Sequence, residues 1–434
     1  MNLLPQIESE FGPQSYYLDS ASPPAFHPRL EGSHTCDVCV VGAGFTGLSA
    51  ALNLAEAGYS VALLEGERIG WGASGRNGGQ VLTGFAPSLN KIEGWVGEAH
   101  TRQLWEMSLE ATQILQERMA RHRIDAEYRA GYVLAAVRQR QMKDLAEEHL
   151  YVSRLGYDQM RMANREEVRA LVNSERFQGG LVDMGSGHIH PLKYVRGLAK
   201  AATQSGVRIF EQSRVNAIHP GNPASRARAV TAAGEVQADH LVLCCNAYIG
   251  NLQREMRSRI MPVGTYIIAS APLGRELALS LLPTNYCVSD ANFVLDYFRL
   301  SADWRMLFGG RVSYTTIPPA GLARRMRQRM LAVFPELRNT AITHAWGGFV
   351  DISMNRLPDI GRLPGNVYYA QGFSGQGVAL TGLAGKVISD AIRGDSEKFD
   401  VFARIPHRPF PGGEWLRLPL LTLSALYSRL QDLI

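Results

Sequence analysis

The sequence is poor in cysteine and has no long apolar run. Its five cysteines, an odd number among 434 residues, exclude the paired framework of a small secreted disulfide protein. An uninterrupted apolar run of about 18 residues, the length that a membrane-spanning helix needs, does not occur. The N-terminus also lacks a charged start followed by an apolar segment. We therefore expect a cytoplasmic protein.

The charge of the chain shows little excess of either sign. It carries 45 basic and 40 acidic residues, a formal net charge of +5, and it has no long basic run. Nucleic acid is therefore not expected as a partner, although a local basic patch stays open. The hydrophobic share of 46% and the charged share of 20% are typical of a globular protein, and the length favours two domains.

Two short motifs resemble metal-binding patterns but have simpler explanations. Cys36 and Cys39 form a CxxC inside the apolar run CDVCVV, where a buried strand explains them better than a redox or zinc site. His188 and His190 form an HxH, but the sequence offers no further ligands to complete a site. We expect structural or cofactor-adjacent histidines and no metal.

Three glycines form a GxGxxG motif between an apolar strand and a helix. They are Gly42, Gly44 and Gly47, and Phe45 and Thr46 lie between the last two. Glycine allows the tight turn and lets the backbone approach a pyrophosphate without a Cβ in the way. The helix that follows offers free N–H groups and the positive end of its dipole to the phosphates. The motif predicts a dinucleotide site.

An acidic residue ends the second strand, where a dinucleotide site needs one. Glu65 closes the strand VALL, 18 residues after Gly47, and Gly66 follows it. A carboxylate there accepts both hydroxyls of an adenosine ribose and repels a 2′-phosphate. The order of strand, glycines, helix, strand and acid makes the prediction specific. It does not separate NAD from FAD.

A second glycine-rich segment follows the nucleotide motif. The run GWGASGRNGGQ, residues 70–80, has five glycines in eleven positions. Such a loop can wrap a large planar ligand with its backbone, and Ser74, Arg76 and Asn77 supply hydrogen bonds and charge. A large planar group is therefore expected beside the nucleotide.

Long motifs from both ends of the chain resemble one family. The runs GERIGWGASGRNGGQ and GFSGQGVALTGLAG look like those of the D-amino-acid-oxidase-type flavoproteins, which include glycine oxidase and sarcosine oxidase. Within that family, GWGASGRNGG, DYFRLSAD and LFGGR most resemble bacterial γ-glutamylputrescine oxidases. The similarity covers nearly the whole chain and implies FAD as the cofactor.

The resemblance and the order of strands and helices predict an α/β (α+β) fold. A Rossmann-like FAD-binding domain would carry an inserted, mostly antiparallel β-sheet substrate domain flanked by helices. The predicted segments are an N-terminal surface arm (1–33), the discontinuous FAD-binding domain (34–90, 185–250 and 340–395), the substrate domain (91–184 and 251–339) and a C-terminal tail (396–434). The tail contains an amphipathic helix from Leu418 to Ile434, which packs on the body or contacts a membrane surface.

The resemblance also implies where FAD lies. The isoalloxazine would sit between the 72–80 loop and the turn GFSGQG, whose helix N-terminus faces the N1/C2=O edge of the flavin. Val215 would meet the adenine through its backbone, although a plain core position also explains it. The implied cofactor contacts are Gly42, Gly44, Phe45, Thr46, Gly47, Glu65, Gly66, Ala73, Ser74, Arg76, Asn77, Gly78, Gly79, Val215, Gly375, Gln376, Gly377 and Val378.

The sequence departs from the sarcosine and glycine oxidases at functional positions. No cysteine follows Cys287, so we expect non-covalent FAD rather than the cysteine attachment of some relatives. The basic residues that hold an amino-acid carboxylate in those enzymes are replaced by Gly79, Leu82, Val350 and Ala379. The pocket is therefore expected to lack a grip for an α-carboxylate beside the reacting amine.

Five residues are candidates for the substrate pocket. Tyr297 and Arg299 alternate along a strand and share one face, which is turned either to the cavity or outward. Trp346 is an aromatic wall or an ordinary core tryptophan. Gln376 is expected near the flavin ring, and Tyr266 is the fifth candidate.

These features predict an enzyme that oxidises an amine by hydride transfer to flavin N5. Because a dry, aromatic pocket keeps the amine neutral by desolvation, no catalytic side chain is assigned. The resulting imine is hydrolysed to an aldehyde. Without an α-carboxylate grip, we expect γ-glutamylputrescine or another γ-glutamylated polyamine as the small-molecule substrate.

The electron acceptor and three other functions stay open. Leu307 stands where sarcosine oxidases carry an oxygen-activating lysine, so the acceptor is O2, which would give H2O2, or a quinone. One alternative is an α-amino-acid oxidase or dehydrogenase for pipecolate, proline or glycine. The others are a flavoprotein that acts on modified tRNA and a flavin-binding protein without turnover.

Overall fold

The computed structural model describes residues 15–222, 224–313 and 321–411. The predicted tail helix, Leu418 to Ile434, lies outside these ranges and stays a prediction. No helix in the three ranges combines the length and the apolar character needed to span a bilayer.

Strands and helices alternate through most of the described chain. Its strands are β1 (Gly32–Val41), β2 (Val61–Leu64), β3 (Gln80–Val81), β4 (Arg129–Ala136), β5 (Met160–Asn164), β6 (Gly179–His188), β7 (Arg208–Phe210), β8 (Ala217–His219), β9 (Ala227–Val230), β10 (Gly234–Leu243), β11 (Ile260–Ser270), β12 (Cys287–Asp290), β13 (Tyr297–Leu300), β14 (Met306–Ser313), β15 (Ile342–Ser353), β16 (Asp359–Leu363) and β17 (Val367–Gln371). Its α-helices are α1 (Tyr16–Ser20), α2 (Phe45–Glu56), α3 (Leu89–Val96), α4 (Glu98–Arg121), α5 (Gln141–Arg154), α6 (Arg165–Leu171), α7 (Pro191–Gln204), α8 (Arg254–Arg259), α9 (Arg275–Leu281), α10 (Leu322–Val333), α11 (Gly377–Ile392) and α12 (Glu397–Ala403).

The first sheet has a parallel centre in the order β17-β10-β1-β2-β7. Antiparallel β16 extends one edge, and β9, with β8 beside it, pairs with β10. Every residue of β2 and β17 is buried, as expected for strands covered on both faces. The strand order reverses between β1 and β10, and ligands of such sheets bind at this switch point. The predicted Rossmann-like sheet is confirmed.

The second sheet is curled and mostly antiparallel, in the order β15-β11-β14-β13-β12-β4-β6-β3, with β5 beside β6. Among its described pairs only β12 and β4 run parallel. Its strands do not follow the predicted domain boundaries. Since β15 pairs with β11 along residues 342–353, this segment belongs to the second sheet and not to the FAD-binding domain predicted from residue 340. The predicted cut at 184 also falls inside β6.

Two helices next to the parallel sheet pack closely through small residues. Ser49 Oγ on α2 donates a hydrogen bond to the Gly382 carbonyl on α11 at 2.6 Å. A Cβ added to Gly385 would lie 2.5 Å from the Ser49 Cβ, so only glycine fits there. The largest buried apolar cluster includes Leu48, Leu52 and Leu383 from these helices. This packing holds α2 and α11 in close contact.

Part of the predicted surface arm enters the body of the protein. The Ser15 side chain caps α1 by accepting the Leu18 N–H at 3.4 Å. Tyr16 and Tyr17 on this helix are buried, and Tyr17 is fully so. The described end of the arm is therefore an internal support, which its lack of periodicity did not indicate.

Candidate active site

The glycine-rich turn after β1 has the shape of a phosphate-binding turn. Gly42 has a φ of +105°, and a Cβ there would lie 2.5 Å from the Cys244 carbonyl oxygen. A Cβ on Gly44 would meet Ser74 Oγ at 2.9 Å, and this Oγ accepts the Phe45 N–H at 2.9 Å. A Cβ added to Gly47 would lie 1.9 Å from the Gly42 carbonyl oxygen. Only glycine therefore lets α2 lie this close to the turn after β1.

Glu65 fixes the turn from the end of the neighbouring strand. Its Oε2 accepts the Ala43 N–H at 2.8 Å, and its Oε1 accepts the Glu67 N–H at 2.8 Å. Burial raises the pKa of Glu65, and the two N–H bonds oppose this shift. Each oxygen keeps a further lone pair, so the carboxylate can also accept ribose hydroxyls.

A cavity of about 140 Å³ opens above this turn at the switch point of the parallel sheet. Val215 lies in its wall with a buried side chain. Its contact with the adenine stays a prediction. Of the three glycines in the GxGxxG motif, Gly42 and Gly44 line the cavity and Gly47 does not. The predicted cofactor residues that line this cavity are Gly42, Gly44, Phe45, Thr46, Glu65, Gly66, Ala73, Ser74 and Val215.

The 72–80 loop is held by hydrogen bonds between its own side chains and nearby carbonyl groups. Arg76 Nε donates to the Trp71 carbonyl at 2.7 Å, Nη1 donates to the Gly347 carbonyl at 3.3 Å, and the guanidinium lies 5.6 Å from the Trp71 ring centre. Asn77 Nδ2 donates to the Ala73 carbonyl at 3.0 Å, and Asn77 Oδ1 accepts a backbone N–H at 2.8 Å. The Arg76 and Asn77 side chains thus shape the loop itself, whereas the sequence analysis predicted that they contact the ligand.

A larger cavity of about 460 Å³ lies between this loop and the turn before α11. It shares Ala73 with the smaller cavity, so the two cavities are neighbours. Gly377 opens α11 behind the wall, where its Cβ would lie 3.2 Å from Phe373 Cβ. The predicted residues that line the larger cavity are Ala73, Arg76, Asn77, Gly78, Gly79, Tyr297, Gly375, Gln376 and Val378.

Gln376 joins the two cofactor segments. It is the N-cap residue of α11, and its Nε2 donates to the Thr83 carbonyl at 2.7 Å. Gly375 before it has a φ of +89°, which favours glycine. The N-terminus of α11 is thus held at the cavity beside the segment that leaves the 72–80 loop.

Tyr297 forms part of the cavity wall, and its role in a substrate pocket stays a prediction. A Cβ on Gly78 would lie 2.7 Å from the Tyr297 ring, and one on Gly309 would lie 2.0 Å from it. The two glycines therefore make room for the ring between the loop and β14. Burial raises the pKa of Tyr297, so its phenol stays protonated at neutral pH.

The structure places Arg299 outside the cavity lining, which corrects the predicted pocket position. Its Nε donates to the Gly78 carbonyl at 2.7 Å, and its Nη2 donates to the Tyr17 hydroxyl at 3.1 Å. Only 4% of Arg299 is exposed. Although it shares a strand face with Tyr297, the backbone of the loop covers it, so Arg299 supports the loop from behind.

Trp346 and Tyr266 also lie outside the lining. Trp346 Nε1 donates to the Arg76 carbonyl at 3.0 Å, and its ring meets Tyr17 edge-on at 5.2 Å. Tyr266 is buried in an apolar cluster with Phe298. Both pocket interpretations are therefore corrected: Trp346 supports the loop and Tyr266 is a core residue.

Known proteins share both the sequence and the fold of this chain. The family profile of FAD dependent oxidoreductases (DAO) matches residues 37–391. The chain belongs to this family. It is 43% identical to gamma-glutamylputrescine oxidoreductase of Escherichia coli (strain K12), over 96% of this chain and 98% of that protein. It is 40% identical to the probable oxidoreductase OrdL of Haemophilus influenzae, over 96% and 97%.

A solved structure confirms the fold of the DAO family for this chain. Glycine oxidase from Geobacillus kaustophilus superposes with a TM-score of 0.73 at 21% identity, covering 86% of this chain and 100% of that one. The chain is thus an FAD-dependent oxidoreductase. Its two cavities have Ala73 in common in their walls.

The two histidines of the HxH motif have structural contacts in this DAO-family fold. His190 Nδ1 accepts the Lys193 N–H at 3.2 Å and so caps α7, and its Nε2 lies 3.0 Å from Ser20 Oγ. Burial lowers the pKa of His190 to about 3, and it lowers the pKa of the buried His188 as well. Both rings are therefore neutral at pH 7. Within the described ranges no group of His, Cys, Asp and Glu side chains has an arrangement that would hold a metal ion.

The larger cavity also contains a carboxylate that the sequence analysis missed. Asp183 Oδ2 accepts hydrogen bonds from Thr83 Oγ1 at 2.8 Å and Ser186 Oγ at 2.5 Å, while Oδ1 accepts from the Tyr157 hydroxyl at 2.5 Å. These donors replace water around the buried charge. An acidic residue inside the otherwise apolar strand GGLVDMG was the available signal.

Two more charged residues of the cavity were missed. Glu148 lies on α5, where its Oε2 accepts the Leu89 N–H at 3.3 Å and burial raises its pKa to about 7. Arg356 lies in the turn after β15, and its guanidinium is 5.8 Å from the Phe293 ring centre. Neither had a sequence signal, because charged residues are ordinary on surface helices and in turns.

Proposed function

We propose that this DAO-family enzyme oxidises the primary amine of a γ-glutamylated polyamine, with γ-glutamylputrescine as the preferred substrate. The observation that carries the proposal is the lining of the larger cavity. Gly79, Leu82 and Val350, which replace basic residues of α-amino-acid enzymes, all lie in its wall. An α-carboxylate next to the reacting amine would meet no cation at these positions. The similarity to gamma-glutamylputrescine oxidoreductase supports the same substrate.

FAD would be held without a covalent bond by the residues that line the two cavities. Glu65 would accept the adenosine ribose hydroxyls, and the N–H groups at the start of α2 would meet the pyrophosphate. The flavin ring would lie between Gly78 and Gln376, which face the larger cavity. The segment Gly348–Ser353 contains no cysteine to attach it. Bound FAD supplies the acceptor for the hydride.

The residues of the chain supply a desolvated place for the amine. Tyr297, Tyr132, Phe349 and Leu82 line the larger cavity, and their rings and methyl groups exclude water. Transfer from water into this cavity would lower the pKa of the amine, because burial disfavours the charged form. The neutral amine, which is the form that gives up hydride, then becomes accessible. Asp183 does not serve as a free base, because hydroxyl groups already occupy both of its oxygens.

Glu148 is the carboxyl group of the lining whose protonation changes near neutral pH, with a pKa of about 7. It can therefore take up the proton that a substrate ammonium releases on entry. The product imine is hydrolysed by water to an aldehyde and ammonia. We propose O2 as the final acceptor, with H2O2 as its product.

A substrate panel on the purified holoenzyme tests this function. Acid precipitation should leave all of the flavin in the supernatant, which checks the non-covalent state. γ-Glutamylputrescine should bleach the flavin absorbance under nitrogen and should consume O2 in air with formation of H2O2. Glycine, proline and pipecolate should do so at least about 100-fold more slowly in kcat/KM. Faster bleaching by an α-amino acid would replace the proposed substrate.

A further inference from the structure

We propose that Gln376 holds the reacting amine of the substrate by accepting one of its N–H groups at the side-chain amide oxygen. The inference rests on the proposed function, because it takes the amine to react within the larger cavity. The sequence predicted only that Gln376 lies near the flavin ring. The hydrogen bonds around this residue assign a separate role to each end of its amide group.

The Thr83 carbonyl decides the orientation of the Gln376 amide. A carbonyl oxygen only accepts hydrogen bonds, so the atom 2.7 Å from it must be the amide nitrogen, Nε2. The amide oxygen therefore occupies the other position at the end of the side chain. Both residues line the larger cavity, and Gln376 is partly exposed. Within the described part of the chain no donor bonds this oxygen, which leaves it for a ligand.

Gln376 is one of three side-chain amides in the described lining, and the other two are occupied at both ends. Asn77 donates to backbone carbonyls through Nδ2 and accepts a backbone N–H at Oδ1. Gln80 Nε2 donates to the Val288 carbonyl at 3.1 Å, and its Oε1 accepts from Ser289 Oγ at 3.2 Å. Of the three amides, Gln376 is therefore the one that can bind a polar group of the substrate.

A buried carboxylate holds Thr83 in place. Thr83 Oγ1 donates to Asp183 Oδ2 at 2.8 Å, and Asp183 is only 2% exposed. Ser186 Oγ donates to the same oxygen, and the Tyr157 hydroxyl and the Gly185 N–H donate to Oδ1. With two hydrogen bonds on each oxygen, the carboxylate has no lone pair left for a ligand. Asp183 therefore acts through Thr83 and is a positioning residue.

An uncharged acceptor suits this reaction better than a carboxylate or a hydrogen-bond donor. A carboxylate beside the amine would raise the pKa of the amine and favour the ammonium, which has no lone pair. A donor would bind the lone pair itself. The amide oxygen takes an N–H group instead, so the amine is oriented while its lone pair stays available for hydride transfer.

Two unreactive analogues test the acceptor in the FAD-loaded protein. γ-Glutamyl-hydroxybutylamide carries a terminal hydroxyl in place of the amine, and γ-glutamyl-n-pentylamide carries a methyl group there. Because an O–H can donate to the Gln376 oxygen and a methyl group cannot, the wild type should bind the hydroxyl analogue at least about 5-fold more tightly in calorimetry. Gln376→Leu should lose this preference. The inference is overturned if the wild type shows no preference, or if Gln376→Leu keeps it.

Gln80→Leu is the matched control for this comparison. It removes a glutamine of the same lining whose amide oxygen is already occupied by Ser289, so it should keep the preference for the hydroxyl analogue. The Gln376 side chain makes no cap hydrogen bond with α11, so Gln376→Leu should leave the Kd for FAD within about 3-fold of the wild type. A rise of more than about 10-fold would assign the amide oxygen to the cofactor instead of the amine.

The positioning role of Asp183 is tested at Thr83. Thr83→Val has nearly the same shape but removes the hydroxyl that bonds Asp183, whereas Thr83→Ser keeps it. The preference for the hydroxyl analogue should fall below about 2-fold in Thr83→Val and should be retained in Thr83→Ser. Equal preferences in the two variants would reject the positioning role.

Turnover of γ-glutamylputrescine gives a second readout. Gln376→Leu should lower kcat by roughly 10- to 100-fold, because the amine loses its orientation. In Gln376→Glu a carboxylate beside the bound amine should raise the pKa of the amine, so kcat should reach its plateau at a pH about 1 unit higher. An unchanged pH profile in Gln376→Glu would contradict the contact.

The proposed function can fail separately from this inference. Failure of the wild type to oxidise γ-glutamylputrescine would reject the proposed substrate alone. The hydroxyl and methyl analogues of the amine that is oxidised would then give the same test of Gln376. Oxidation of γ-glutamylputrescine by the wild type, together with an undiminished kcat in Gln376→Leu, would reject the role of Gln376 alone.

Discussion

At the scale of single residues, three arginines near the flavin site differ in what they contact. Arg76 and Arg299 donate to backbone carbonyls and hold the 72–80 loop, whereas the Arg356 guanidinium lies 5.8 Å from the Phe293 ring centre. The sequence predicted Arg76 as a cofactor contact in the glycine-rich loop, where it supplies charge, and Arg299 as a pocket candidate because it shares a strand face with Tyr297. It could not identify their partners, which include the carbonyls of Gly347 and Gly78 from distant parts of the chain.

Glu65 gives a direct test of the nucleotide half of the site. In Glu65→Gln one carboxylate oxygen becomes an NH2 group, which faces a backbone N–H of Ala43 or Glu67 instead of accepting it. We expect the Kd for FAD to rise roughly 10- to 100-fold, as measured by titration of apoprotein. Glu235→Gln, on β10 outside both cavities, should bind FAD normally. Normal FAD binding by Glu65→Gln would show that the carboxylate has no part in the site.

Glu148 should make the stability of the protein depend on pH. Burial raises its pKa to about 7 from the ordinary value of 4.5, so the unfolded chain releases this proton first as pH rises. The folded state then binds more protons, and the free energy of unfolding falls between these two pKa values. From about pH 5 to about pH 8, Glu148 should contribute a loss of roughly 1–3 kcal/mol.

Urea denaturation at the two pH values measures this contribution. Glu148→Gln should lose that part of the pH dependence, because an amide does not titrate. Glu147→Gln changes the exposed neighbour on the same helix and should behave like the wild type. The prediction fails if the stability of wild type and Glu148→Gln falls equally over this range.

At the scale of elements, the cofactor loop depends on segments that are distant in sequence. Residues 72–80 were recognisable from their glycines, and the helix after β1 from its GxGxxG. The supports behind the loop were not recognisable, because α1 is one short helix in an aperiodic segment and Trp346 lies on β15. The edge-on contact of Tyr17 with Trp346 and its hydrogen bond to Arg299 join these elements.

Removing one hydroxyl tests this support. In Tyr17→Phe the buried Arg299 guanidinium loses an acceptor at 3.1 Å, which should cost about 1–3 kcal/mol in the free energy of unfolding. Because Arg299 also holds the Gly78 carbonyl, FAD affinity should fall as well. Tyr16→Phe is the matched control: its hydroxyl bonds Asp303, whose side chain is 47% exposed, so water can replace it. Urea denaturation and FAD titration of both variants test this prediction. Equal stability and equal FAD affinity of Tyr17→Phe and Tyr16→Phe would show that the Tyr17 hydroxyl does not support the loop.

At the scale of the whole molecule, the fold was predictable in type but not in its boundaries. The Rossmann-like sheet and the antiparallel sheet follow from local motifs and from the resemblance. The assignment of β15 to the second sheet depends on pairing with β11, about 80 residues earlier, and no local pattern encodes such a partner. The cavity arises where the two sheets meet, so its charged residues come from segments that sequence reasoning treated separately.

This arrangement predicts that FAD stabilises the molecule as one unit. The predicted cofactor residues come from both ends of the chain and lie beside both sheets, so bound FAD should raise the melting temperature of both sheets together. At an FAD concentration of about 100 times the Kd, binding should raise the free energy of unfolding by about 2.7 kcal/mol. This corresponds to a rise of a few °C in the melting temperature. ADP would fill only the smaller cavity. At the same concentration it should therefore stabilise the apoprotein less than FAD does. Calorimetry of the apoprotein at increasing FAD checks this. Two separate transitions with only one responding would mean that the sheets unfold independently and that only one of them binds the cofactor.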